Sequence, residues 1–149
     1  MSAITDPSTE TLRRTRQAQH PRCVVCGRCG PASLGLEFTV APDGSVSATF
    51  RCPRRFEGYN GMLHGGVISA IADGAMTNCL FARGIRAVTA ELTVRFRHPI
   101  VLESPLEVTA RVARESSPLF LVEATLVQEG ERRATATGKF MQTPKRHTA

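Results

Sequence analysis

The sequence predicts an α+β fold, with six antiparallel strands in one sheet and a single long helix against it. Three observations carry that prediction. An almost uninterrupted apolar stretch, Gly65 to about Ala82, keeps the spacing of a helix. Four later segments alternate apolar and polar residues with the period of two that a half-buried strand requires. Ahead of the helix, two further strand-like runs flank a Pro-Asp-Gly turn. Sheet and helix each have an apolar side to bury, so the one helix has to cover one face of the sheet.

In chain order, the first residues are polar and carry Arg13, Arg14 and Arg16 with no apolar run behind them. Residues 1–22 are therefore expected to form a flexible basic arm and not a secretory signal. The cysteine cluster CVVCGRCG, residues 23–30, follows. LGLEFTV and SVSATFRC flank APDG, which predicts a hairpin over 34–52, and PRRFEGYNGM then reads as a loop. The helix ends at Arg83-Gly84, a cation followed by the glycine that commonly stops a helix. In VTAELTVRF, Val88, Ala90, Leu92, Val94 and Phe96 alternate with Thr89, Glu91, Thr93 and Arg95. PLEVTARVARE repeats the pattern, and LFLVEATLV and RRATATGKFM supply two more strands across the turn QEGE. TPKRHTA reads as a disordered tail, 143–149, which leaves 23–142 as the folded domain.

At 149 residues, with 42% hydrophobic and 21% charged, the composition is that of one globular domain. No apolar run is long enough to span a bilayer. A formal charge of +6 would suit a polyanion. Beyond the arm, however, the surplus is scattered over strands as Arg95, Arg97, Arg111, Arg114, Arg132 and Arg133. Neither a nucleic acid nor a membrane is the expected partner. Five cysteines, an odd number, without an export signal point to a reducing compartment, the cytoplasm.

The segment GMLHGGVISAIADGAM, residues 61–76, carries the chemistry. At 3.6 residues per turn, Ile68, Ile71, Ala72, Ala75, Met76 and Cys79 share one stripe. Asp73 falls away from it, beside Gly66, Ser69, Ala70 and Thr77. The acid thus lies on a second face of small and hydroxyl residues, suited to close approach by a ligand or another subunit.

His-Gly-Gly at the start of this helix, with an acid nine positions after His64, resembles the hotdog-fold acyl-CoA thioesterases typified by the phenylacetate-pathway enzyme. The following strand TAELTVRFRHP matches as well, and Cys23, Cys26 and Gly27 ahead of Leu34-Gly35-Leu36 look like one branch of that group. The resemblance implies a six-stranded antiparallel sheet wrapped around one long central helix. It also implies a homodimer or a dimer of dimers, an active site between subunits, and coenzyme A as part of an acyl-CoA substrate with no separate cofactor. Two positions depart from the pattern. Gly58 stands where many relatives carry an Asn or Gln, the nearest amide being Asn60, and Gly74 stands where an acid commonly follows the Asp. The second departure implies a roomier or altered pocket.

Thioester hydrolysis needs a group that polarises the carbonyl and one that activates or replaces water. Free N–H groups and the positive dipole end at a helix start can supply the first, and glycine lets a ligand reach them. The amide of Gly65, with Gly66 behind it, is the candidate oxyanion donor, though glycines there could also serve close packing alone. Asp73 is the candidate general base or nucleophile. His64 either hydrogen-bonds near the carbonyl or orders the loop, and structural support is the preferred reading. Candidate substrate contacts are Asn60, Thr89, Ser69 and Thr77. Thr89 could hold water or the acid, while helix hydroxyls such as Ser69 and Thr77 often satisfy backbone carbonyls instead. Arg83, Arg86, Arg95 and Arg97 could meet phosphates by position.

Cys23, Cys26 and Cys29 with Cys52 or His20 could form a tetrahedral zinc set, but free thiols are the expectation and no metal is assigned. Two alternatives to the enzyme remain. One is a zinc- or nucleic-acid-binding module carried on a hotdog platform, and the other is an acyl-CoA-binding protein that does not hydrolyse.

Overall fold

A computed structural model of the chain describes residues 7–29 and 32–144. Helix α1, Pro7–Gln19, is followed by strands β1, Thr39–Val40, and β2, Val46–Arg51. A single 3-10 turn at Arg54–Phe56 leads into helix α2, Gly65–Phe81. Strands β3, Ala87–Phe96, β4, Pro105–Ser116, β5, Leu119–Gln128, and β6, Glu131–Gln142, complete the chain. All six strands form one antiparallel sheet in the order β1-β2-β4-β5-β6-β3. No helix among the described residues is long and apolar enough to cross a membrane.

The core lies between α2 and the inner face of the sheet. The predicted stripe of Ile68, Ile71, Ala72, Ala75, Met76 and Cys79 is buried throughout. Opposite it, every second residue is buried: Leu106, Val108 and Ala110 on β4, Phe120, Val122, Ala124 and Leu126 on β5, and Ala134, Ala136 and Phe140 on β6. Burying one large side chain of this kind contributes about 1.5–3 kcal/mol, so the shared layer holds helix and sheet together. Where β6 passes beneath the helix, a Cβ on Gly138 would lie 3.1 Å from the Met76 methyl, and glycine permits that approach. The QEGE turn joins β5 to β6 with Glu129 and Gly130 both at positive φ, the backbone that a two-residue hairpin needs.

Four expectations are corrected. The arm expected over 1–22 contains α1, which packs on α2 through Leu12, 2% exposed. Leu12 is its one large apolar residue, too little to reveal a periodicity. The first strand of the predicted hairpin is only two residues long. The amides of Leu34 and Leu36 bond to the carbonyls of Val24 and Val25 instead, tying that run to the cysteine loop. Of the predicted tail, 145–149 lie outside the described residues, and the Thr143 amide donates to the Arg86 carbonyl.

The fourth correction concerns β3, whose alternation is broken by a register shift between Thr89 and Glu91. A shift of one residue moves every following side chain to the opposite face. Thr89 pairs with the buried Phe140, and Leu92 and Val94 pair with Gly138 and Ala136 on the same inner side. Val88, predicted inward, pairs with Met141 on the outside and is 51% exposed.

Candidate active site

Helix α2 starts where the sequence places it. His64 is its N-cap, extended at φ −62 and ψ 134, and its Nδ1 accepts the amide of Gly66 at 2.9 Å. One orphan donor of the helix is thereby satisfied, and His64 takes the ordering role. Among the described residues the Gly65 amide makes no such bond. It borders a cleft of about 490 Å³ with Glu57, Gly58, Tyr59, Leu63 and His64. Gly65 also borders a more apolar chamber of about 320 Å³, formed by Met62, Ile68, Phe96 and Ile100 among others. A polar groove of about 420 Å³ lined by Arg97, Arg111, Glu123 and Arg132 contains one phosphate candidate, Arg97, and none of the residues at the helix start or around Asp73.

Asp73 lies half-buried on the second face of α2, and its Oδ1 accepts the Thr89 hydroxyl at 2.6 Å. The register shift in β3 makes this contact: it turns Thr89 inward, where unbroken alternation would send it out with Glu91. A hydroxyl donating to one carboxylate oxygen fixes the rotation of the group and leaves the other oxygen for a second proton donor.

The predicted residues therefore fall into two groups. His64, Gly65 and Gly66 meet at the helix start, and Asp73 meets Thr89. Eight residues of helix separate Gly65 from Asp73, roughly 12 Å along the axis at about 1.5 Å per residue. One chain does not bring both onto the same atom. Ser69 and Thr77 donate to the carbonyls of Gly65 and Asp73, at 3.0 and 2.9 Å, within their own helix. Asn60 is exposed in the turn before the helix.

Two residues were missed. Glu57 lines the cleft and its Oε2 accepts the Gly61 amide at 2.9 Å, closing a turn in which Gly61 has φ +78. Tyr59 is 83% exposed and borders both cavities. Both lie in the loop PRRFEGYNGM, from which the sequence reading singled out Gly58 and Asn60 alone. The two departures also have structural reasons. A Cβ on Gly58 would lie 3.0 Å from His64 Cα, so a side chain there would crowd the cap. Gly74 is buried, and a Cβ on it would fall 2.6 Å from Val25 Cγ1. The roomier pocket expected at Gly74 is instead filled by the cysteine loop.

The thiols differ sharply. Burial pushes Cys52 up to about 12 and Cys79 up to about 11. Cys23 is drawn down to about 3 by a hydrogen bond from Cys26, helped by His20 and by the amides of Cys26 and Val25, against the opposing effect of burial. Cys26 moves up through the same bond and through burial.

Residues 60–135 match the thioesterase superfamily. The chain is 28% identical over 142 residues to the bovine (Bos taurus) acyl-coenzyme A thioesterase THEM4, covering 92% of this chain. It spans only about half (56%) of that relative's length. The Escherichia coli PaaI protein of the phenylacetic acid degradation operon superposes with a TM-score of 0.77 at 18% identity, over 91% of this chain and 96% of that one. A Streptococcus pneumoniae thioesterase protein, solved with coenzyme A, superposes with a TM-score of 0.69 at 19% identity, over 74% and 88% of the two chains. That protein was also solved as two single alanine variants, of an aspartate and of a threonine sixteen positions later. With over half of its length, including the whole of α2, inside the matched region, the chain belongs to the thioesterase superfamily.

Proposed function

We propose that the chain hydrolyses an acyl-CoA thioester in a site completed by a second copy of itself. The observation that carries this is the 2.6 Å bond from Thr89 to Asp73 on the face of α2 lined by small residues. The sixteen-residue separation of that pair is the same as between the aspartate and threonine replaced in the Streptococcus pneumoniae protein. The name of the bovine relative and the coenzyme A in the Streptococcus pneumoniae structure favour an acyl-CoA substrate.

Geometry supports the second copy. Because Asp73 and the Gly65 amide of one chain are far apart, a thioester carbon touching both kinds of group needs one from each protomer. Edge strand β3 offers a contact surface, with Val88 at 51% and Phe96 at 54% exposure. A dimer, or a dimer of dimers, would cover such apolar groups.

In the reaction, Asp73 takes a proton from water while the water oxygen attacks the thioester carbon. The Gly65 amide holds the resulting oxyanion, a contribution on the order of 2.7–4 kcal/mol. The carbon–sulfur bond then breaks, the sulfur takes up the proton, and free acid and CoA thiol leave. Attack by Asp73 itself, through an anhydride that water then cleaves, gives the same products. The acyl group lodges in the chamber formed by Met62, Ile68, Phe96 and Ile100.

Release of thiol from a panel of acyl-CoAs tests the reading. Wild type should turn over at least one, and Asp73→Asn should lower turnover by about 10²–10⁴-fold while still folding. A second reading, binding without hydrolysis, is favoured by the absence of an amide at Gly58. Saturable acyl-CoA binding with no thiol released by wild type would establish it and end the enzymatic one.

A further inference from the structure

We propose that His20, Cys23 and Cys26 bind a zinc ion that ties the end of α1 to the cysteine loop on the back of α2. The three donor atoms lie within 4.8 Å of one another, and Cys26 Sγ is 3.7 Å from His20 Nδ1. Zinc bonds of about 2.3 Å to sulfur and about 2.0–2.1 Å to nitrogen place neighbouring tetrahedral ligands roughly 3.5–3.8 Å apart. That contact already has the required spacing, and only small side-chain rotations separate the rest from it.

The backbone supports the same conclusion. Cys23, Val24, Val25 and Cys26 form a tight turn that puts both sulfurs on one side. Within it the Val25 amide donates to Cys23 Sγ at 3.4 Å, and the Gly27 amide donates to the Cys23 carbonyl at 2.9 Å. A Cβ on Gly27 would lie 2.4 Å from the Cys23 nitrogen, so the turn closes only on glycine. An amide directed at sulfur favours its thiolate form, which is the form that binds metal. His20 follows directly on α1 and stands edge-on to Phe81 with ring centroids 4.9 Å apart, which holds the imidazole in place. The fourth position falls to water or to Cys29, whose amide is tied to the Pro21 carbonyl at 3.1 Å.

A disulfide between Cys23 and Cys26 would explain the two sulfurs but not the histidine, and it would need an oxidant. Zinc uses all three donors without redox chemistry. The loop that carries these donors is seated on α2 by packing of its own. Val25, between the two cysteines, fills the space at Gly74, and Arg16 of α1 donates to the Cys26 carbonyl at 3.1 Å. Asn78 is fully buried and its Oδ1 has no partner, an arrangement that marks a polar spot inside an otherwise apolar contact.

The test is metal content and cobalt spectroscopy on the full chain. Protein dialysed against zinc and then buffer should retain one ion per chain. Cobalt substitution should give the near-ultraviolet thiolate-to-metal band and the visible bands of a tetrahedral site. Cys23→Ser and His20→Asn should each weaken binding at least tenfold, whereas Cys52→Ala should retain the ion. The wild-type spectrum does not depend on whether a variant folds. Retention of less than a tenth of an ion per chain with no cobalt band would overturn the proposal, as would a Cys23–Cys26 disulfide in metal-free protein or undiminished binding by both ligand variants.

Discussion

Asp73 and Gly74 are neighbours in sequence, about 100° apart around α2, and meet different surroundings. On one flank of α2, Asp73 meets a single hydroxyl, Thr89, among residues that are small or half-buried. On the other, Gly74 lies so close to Val25 that no Cβ fits, and beyond it Asn78 and Phe81 are sealed beneath the cysteine loop and His20. One helix thus has a flank built for approach and a flank built for closure. Substitutions on the first should change rate and leave stability alone, and those on the second should do the reverse.

The largest effect expected is on the open flank. Asp73→Asn should lower kcat by about 10²–10⁴-fold, the range of a general base, with the melting temperature nearly unchanged. Steady-state thiol release and a thermal melt on the same sample check both halves. Gly65→Pro comes next. Proline is tolerated at the first helical position, and His64 already has the extended backbone that a residue before proline adopts. The substitution removes only the amide hydrogen, and kcat should fall about 10²–10³-fold with helix content retained by circular dichroism. A rate within twofold of wild type would move the oxyanion site elsewhere.

The sealed flank gives the converse. Gly74→Val should cost about 1–3 kcal/mol by overpacking against Val25, read as a shifted denaturant midpoint. Val25→Ala in the same chain should recover part of that loss, because neighbouring sites couple. Thr89→Val should lower kcat roughly tenfold, the scale of one hydrogen bond to a charged group. The smallest effect is expected at Asn60. It is exposed in its turn, and Asn60→Ala should leave rate and stability within error.

Much of this was legible before any coordinates. Helix α2 was, because a long apolar stretch with a glycine stop admits few other readings, and Gly84 at φ +70 ends it as predicted. Asp73 stood out because a carboxylate off the buried stripe of an apolar helix is unusual. Thr89 could be named but not oriented. Its direction depends on one extra residue in β3, and a bulge leaves no periodic trace strong enough to separate it from ordinary alternation. Helix α1 was hidden because one leucine is too few to define a face.

The sequence alone determined the fold class, the long helix with its His-Gly-Gly start, and the acid set apart from the buried stripe. Those features follow from local periodicity and from the conformational limits of single residues. The tertiary structure decided which flank of α2 is open, that Thr89 turns in to hold Asp73, and that His20, Cys23 and Cys26 converge. Each of these depends on contacts between segments distant in the chain, where a shift of one residue in register changes the partner.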